Sequence, residues 1–405
     1  MSYAMFSGHM TIRSFTPAVF GLAMLSGCAG VGYGELPHAQ YAVGSACEPS
    51  ASDIGGKDYF LVTSRLPDCR AAPVSLLQHR SPVVRYARFG APVLTPIAKG
   101  KTEKAVPTAF QQRSEWWQEL GNAAKAKNGR VLLYVHGFRE SYLTNTESTV
   151  QIAKLTGFDG PVIQYSWPSQ GALTKYAVDE TNMYWDERNF RSFLTQLARD
   201  PSVKEIVLVS HSLGARLVIP AVEYVDATST NADSSNISNI ILAAPDVDRE
   251  DFERDIAEEV LAARRVNNDR RITIYVSGKD KALALSRQLH GYPRLGSPYC
   301  FDPFEAAELK QQGVPVRCYP SKTKYDVTPE KSGLTIIDTT DISSTSTGHS
   351  DYLNSAAACA DFAAVVAGKR DGAGDRVAGK LSHVFLLKPT QKSQKPDDKA
   401  ICKVG

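Results

Sequence analysis

The sequence predicts an α/β fold: a mostly parallel central sheet with helices on both faces. Three observations predict it. From residue 130 onward, short apolar runs alternate with helical stretches. The runs lack the in–out alternation of a half-exposed strand, so they belong to a sheet buried on both faces. Residues able to do chemistry stand just after these runs, where open α/β sheets collect functional groups.

Composition sets the outer bounds. The chain has 405 residues, 43% hydrophobic and 22% charged, enough apolar material for one large core. A formal charge of +3, with no basic run interleaved with aromatics, excludes nucleic acid as the expected partner.

The first segment reads as a leader. Arg13 precedes an apolar stretch from Phe15 to Leu25, which ends in Leu25-Ser26-Gly27-Cys28. The stretch is too short for a mature membrane span and suits a signal h-region. The four residues Leu-Ser-Gly-Cys resemble a bacterial lipobox, in which cleavage precedes an acylated cysteine. Residues 1–27 are therefore expected to be a lipoprotein signal peptide, with a lipid anchor on Cys28. Each buried methylene of an acyl chain contributes about 0.8 kcal/mol, and more than one chain gives stable anchoring. Ala29 stands where an aspartate commonly marks inner-membrane retention, so the resemblance implies the outer membrane of the cell envelope.

Cysteine usage agrees with export. Of seven cysteines, Cys28 is taken by the anchor, leaving six for an oxidising compartment. Pairing Cys47–Cys69, Cys300–Cys318 and Cys359–Cys402 closes local loops. No pair has zinc-ligand spacing, so no metal is expected. Residues 28–57, rich in Gly, Ala, Ser and Pro, are read as a tether.

The domain is expected over residues 58–368, starting with strands at Tyr59 to Thr63 and near Val83 to Arg88, then a helix over 109–126. Val131 to Val135 is a strand closed by His136-Gly137-Phe138, followed by a helix over 144–156. Val162 to Tyr165 is a strand ending at Trp167, and a long helix covers about 172–199. After the strand at 206–212 come a strand at Ile237 to Ala243, a charged helix at about 249–263, and a strand at Ile272 to Val276. A helix over 281–290, a last strand at Leu334 to Ile337 and a helix over 354–367 complete the domain. Residues 291–333 break the rhythm and form a possible flap insertion, and 369–405 read as a C-terminal tail.

The stretch Val207-Leu-Val-Ser-His-Ser-Leu-Gly-Ala-Arg-Leu217 carries the chemistry. A strand stops, small residues surround Ser212, and a helix follows. That is the nucleophile-elbow arrangement G-x-S-x-G, with Ser210 in place of the first glycine. A serine nucleophile needs a base, and the base needs an orienting carboxylate. In this chain order the acid precedes the histidine. Of the histidines after Ser212, His290 ends a helix and His383 sits near the tail, whereas His349 follows the last strand. Asp280 leads as the acid, and Asp246 is the alternative. The oxyanion hole needs two backbone donors, which Leu213 and Phe138 are placed to supply. His136 is expected to be structural.

The motifs V-L-L-Y-V-H-G-F, V-I-Q-Y-S-W-P-S-Q-G, V-S-H-S-L-G-A-R, A-A-P-D-V-D and S-G-K-D-K-A-L-A-L-S-R together resemble a bacterial family of esterase- and lipase-like α/β-hydrolases. Most of its members are of unknown function. The resemblance spans about residues 58–366 and is dense between 130 and 290. It implies the α/β-hydrolase fold and the triad Ser212, Asp280 and His349, with no cofactor. The sequence departs from the family's pattern in residues 291–333, which are longer and carry two cysteines. The expected partner is an ester-containing small molecule or lipid. Amide or thioester cleavage by the same triad, or a non-catalytic envelope interaction protein on this fold, are the alternatives.

Overall fold

The structure is a computed structural model that describes residues 58–68, 75–97, 101–228, 236–256, 270–320 and 333–389. The leader over 1–27, the tether over 28–57, and Cys28, Cys47, Cys69 and Cys402 lie outside the described residues.

In chain order the strands and helices are β1 (Tyr59–Asp68), β2 (Ser75–Phe89), β3 (Val93–Ile97), β4 (Lys101–Ala105), β5 (Thr108–Gln111), α1 (Arg113–Lys125), β6 (Arg130–Val135), α2 (Tyr142–Thr156), β7 (Val162–Ser166), α3 (Tyr176–Arg199), β8 (Glu205–His211), α4 (Ala215–Thr228), β9 (Ile237–Ala243), β10 (Arg271–Val276), α5 (Lys281–His290), α6 (Pro303–Gln311), β11 (Leu334–Asp338), α7 (Ala356–Val366), β12 (Arg376–Ala378) and β13 (Val384–Leu387).

Eleven strands form one sheet in the order β12-β13-β11-β10-β9-β8-β6-β7-β1-β2-β5. From β1 through β13 all neighbours run parallel, and the antiparallel pairs sit at the two edges. The strand residues sort cleanly between two cores. Val131, Leu133, Ile206, Leu208, Ile240 and Leu242 pack with Trp116, Phe190, Leu194 and Val218 from α1, α3 and α4. Their neighbours Leu132, Tyr134, Val207, Val209 and Ile241 pack with Ile152, Ala358, Phe362 and Val366 from α2 and α7. This period of two, apolar on both faces, produces the continuous apolar runs seen in the sequence. Each fully buried Val, Leu or Ile contributes about 1.5–3 kcal/mol, so the two cores lock the register of every central strand.

Four expectations need correction. The second strand is fifteen residues long and pairs with β1 antiparallel, with the β3–β4 hairpin and β5 following it. The helix expected from 109 begins at Arg113, because residues 108–111 pair with β2. The tail is not a tail throughout: β12 and β13 extend the sheet, and β13 lies parallel to β11. The domain thus runs past residue 368. Finally, residues 291–333 include a helix, α6. The first part of that segment lies against strand ends, with Ser277 N–H donating to Gly296 O at 3.0 Å and Leu295 N–H to Val247 O at 2.8 Å.

Cys300 and Cys318 form a disulfide, and Cys359 is disulfide-bonded as well. Among the described residues, no helix is long and apolar enough to cross a membrane.

Candidate active site

The parallel strands β6 to β11 deliver their carboxyl ends to one edge of the sheet. Ser212 follows β8 directly, with φ of 51°, the left-handed region that L-residues avoid. Such a conformation costs on the order of 1–3 kcal/mol and persists only where its surroundings impose it. Two glycines make room for it. A Cβ on Gly214 would lie 2.4 Å from His136 O, and one on Gly137 would lie 2.7 Å from Ser212 Cβ. Asp246 N–H ties the elbow further by donating to Ser212 O at 3.1 Å. Gly137→Ala is therefore expected to push the elbow aside and cut turnover about a hundredfold, since displacements near 1 Å cost that much. Steady-state kinetics on the purified variant check it.

Ser210, in place of the elbow's first glycine, is buried, and its hydroxyl has no hydrogen-bond partner. An unsatisfied buried hydroxyl costs about 1–3 kcal/mol. Ser210→Ala is expected to raise Tm by about 2 °C, readable by calorimetry.

His349 and Asp280 meet. The Nδ1 of His349 lies 2.7 Å from Asp280 Oδ2, with the Asp280 side chain fully buried. The other oxygen of Asp280 accepts Leu283 N–H at 2.9 Å and caps α5. One carboxylate thus starts a helix and orients an imidazole. With Nδ1–H given to Asp280, Nε2 is left as the basic nitrogen. Burial opposes a charge on His349, but the Asp280 carboxylate outweighs it and raises the pKa above its ordinary value. Gly348 permits the approach, for a Cβ there would lie 2.6 Å from Lys279 O.

His211, next to Ser212, holds the other side of His349. Its Nε2 lies 3.1 Å from His349 O, and the two rings are 4.7 Å apart. Burial first, then the nearby His349, lowers the His211 pKa to about 3, so the ring is neutral and donates to that carbonyl. Sequence reasoning missed this role, because His349 lies 138 residues away and no local pattern shows that its loop returns to His211. Ser212 Oγ has no hydrogen bond to a described residue; in free enzymes the serine–histidine contact is commonly long and tightens when substrate binds.

Asp246 is not brought to His349 by a hydrogen bond. Its Oδ1 accepts from Ser286 Oγ at 2.6 Å and Arg294 Nε at 2.8 Å, and its Oδ2 from Tyr176 OH at 2.5 Å. Burial pushes this carboxyl up, but Arg294 and Arg216 outweigh it and hold it below its ordinary value. Nor does Asp246 cap the helical turn at Arg249; Asp248 does. His290 joins the same network, with Nε2 3.0 Å from Glu180 Oε1.

The loop after β6 lines the other side of Ser212. Leu213 opens the turn after the serine, and the Phe138 ring packs edge-on against Tyr176 at 5.1 Å. Beyond Phe138, Arg139 has φ of 63°. Its N–H donates to Asp179 Oδ2 at 3.1 Å, and that carboxylate also accepts Ser169 Oγ–H and Gln170 N–H, both at 2.6 Å. Fully buried Arg65 reaches Glu140 O at 2.6 Å, Ser169 O at 3.0 Å and Ser166 Oγ at 2.9 Å. Burial lowers its pKa to about 10, with Asp179 opposing, so it remains charged at neutral pH. Arg65 and Asp179 thus pin the loops after β6 and β7. No local sequence signal marks Arg65, which follows Thr63 and Ser64 in the first strand. His136 is structural in its contacts: it is buried, stacked on Trp167 at 4.8 Å, with Nε2 3.0 Å from Trp167 O.

A family model described as an α/β hydrolase of unknown function (DUF900) matches residues 112–370. The chain belongs to the DUF900 family. The match covers the elbow, Asp280 and His349. Two solved structures are similar to this DUF900 protein. One is titled an α/β hydrolase fold protein of unknown function, with 19% identity over 64% of this chain and 78% of that one, and a TM-score of 0.27. The other is an esterase of Pyrobaculum calidifontis, with 14% identity over 50% of this chain and 71% of that one, and a TM-score of 0.22. No curated protein matches the sequence.

Proposed function

We propose that this DUF900 protein is a serine hydrolase that cleaves carboxylic esters. The observation that carries the reading is the 2.7 Å His349–Asp280 pair, tied through His211 to the neighbouring serine held at positive φ. Ser212 Oγ attacks the ester carbonyl while His349 Nε2 takes its proton. Asp280 keeps the imidazole in the right tautomer and stabilises its charged form. The backbone N–H groups of Leu213 and Phe138 receive the oxyanion, and loss of one such donor costs about 3–4 kcal/mol. His349 then protonates the departing alcohol. Water, deprotonated by the same nitrogen, releases the acyl group from Ser212.

The envelope setting belongs to the same proposal, with Cys28 acylated after cleavage of the leader. Labelling with a fatty acid in cells, lost in Cys28→Ala, tests the anchor. The hydrolase reading is tested on the purified protein with a fluorophosphonate probe and p-nitrophenyl esters of graded chain length. Labelling with turnover supports it, and inertness to both the probe and every ester overturns it.

The pH profile follows from His349. The base works when neutral, and Asp280 raises its pKa. Activity therefore falls as pH drops through a value above the ordinary imidazole value of about 6.5. A kcat/KM profile between pH 5 and pH 9 is expected to place the acid limb there. A limb well below about 6 would remove His349 as the base.

A further inference from the structure

The segment between Asp280 and β11 leaves an apolar face uncovered. Among the described residues, half of the exposed large apolar side chains fall between 285 and 316. They are connected. Leu285 and Leu289 stand one turn apart on α5. Tyr292 packs against Phe301, with ring centroids 6.1 Å apart, and Phe304, 84% exposed, lies in the first turn of α6. The Cys300–Cys318 disulfide holds Val316 to the same region.

Helix α6 itself buries no residue. A nine-residue helix is marginal alone, because helices in proteins draw most of their stability from a packed face. Here only Ala306 and Leu309 are half-buried, and Phe304 points away from any core. The segment also adjoins the site: α5 begins at Asp280, and its Ser286 binds Asp246 and Tyr176.

We propose that this face, from Leu285 through α6 to Val316, docks on a lipid bilayer and presents Ser212 to esters carried in it. The inference rests on the proposed anchoring and ester hydrolysis for its setting. The sequence supplies the occupant. The lipobox at Cys28 stands about thirty residues before β1, so the proposed acyl anchor and the domain are neighbours along the chain. A domain so tethered meets the bilayer constantly, and an uncovered apolar face is buried there at little entropic cost. The chemistry suits the headgroup boundary: Tyr and Phe rings mixed with Leu, and Arg287 lying over the Tyr299 ring at 3.7 Å. Asp302, Glu305 and Glu308 on the same helix give no attraction to anionic lipid, so apolar burial carries the contact.

The test uses the full chain carrying Cys28→Ala, so that no acyl anchor contributes. Sedimentation with phosphatidylcholine vesicles is compared with a variant that also carries Leu289→Ser, Phe301→Ser and Phe304→Ser. Vesicle partitioning is expected to fall at least tenfold, and replacing a quarter of the lipid with phosphatidylglycerol is expected not to strengthen parent binding. Leu94→Ser, an exposed apolar residue on the β3–β4 hairpin, is expected to leave binding intact. Fluorophosphonate labelling of all variants reports whether each is folded and whether the hydrolase reading stands, independently of binding. Equal partitioning of parent and triple variant overturns the proposal. So does loss of self-association in place of vesicle binding, which would assign the face to a second copy.

Discussion

Ser212→Ala is expected to abolish fluorophosphonate labelling and to lower ester turnover by roughly a millionfold, the scale seen when a triad serine is removed. That corresponds to about 8 kcal/mol of lost transition-state stabilisation. The size follows from position. β8 sits between β6 and β9 in the middle of the sheet, so the serine after it is held from both sides. The positive φ at Ser212 turns the side chain off the strand line, and Gly137 and Gly214 leave the room that this turn needs, since a Cβ on either would clash. Alanine tolerates the same backbone as poorly as serine does, so the folded state should keep its geometry and its Tm within about 2 °C. The loss is then one of chemistry alone. Retained labelling in the variant would place the nucleophile elsewhere.

The central region was legible because two signals coincide there. Each strand from β6 to β10 is a short apolar run packed on both faces, and each ends at a residue with a polar or turning role. Position relative to the elements then separated His349, which follows the last expected strand, from His290 at a helix end and His383 near the tail. What was not legible depends on contacts between distant residues or on weak local pattern. β2 carries Gln78, His79, Arg80 and Arg85 with Pro82 among them, so its alternation is broken although it pairs with β1 along most of its length. β12 and β13 are three and four residues long, too short for any period to show. Arg65 reaches the loops after β6 and β7 from a strand far away in sequence, Asp179 reaches the loop after β6 from 40 residues on, and no local motif announces that meeting. Strand position put Asp280 ahead of Asp246 in the sequence, and the fold brings the Asp280 carboxylate to the His349 imidazole.

That choice supports the second large effect. Asp280→Asn is expected to lower kcat about ten-thousandfold while leaving the domain folded. The two jobs of Asp280 separate under this substitution. Asparagine caps a helix as well as aspartate does, so Leu283 N–H keeps its acceptor and α5 its start. An amide facing His349 Nδ1, however, no longer favours the tautomer with Nδ1–H, and it cannot stabilise the imidazolium that forms during attack. The raised pKa of His349 should also relax, moving the acid limb of the pH profile downward. Asp246→Asn is expected to give the opposite pattern. Its carboxylate offsets the buried guanidiniums of Arg294 and Arg216. Removing that charge costs about 3–5 kcal/mol of stability, because buried Arg294 and Arg216 lose their most buried carboxylate and keep only Asp248 and Glu180. Turnover should fall far less than in Asp280→Asn, measured below the variant's unfolding temperature. Kinetics and calorimetry on the two variants therefore cross: one loses chemistry and keeps its Tm, the other loses Tm and keeps most of its chemistry. If Asp246→Asn instead shows the larger fall in kcat with a shifted acid limb, the orienting carboxylate is Asp246, and the hydrogen bond from His349 to Asp280 serves only to fix the loop before α7.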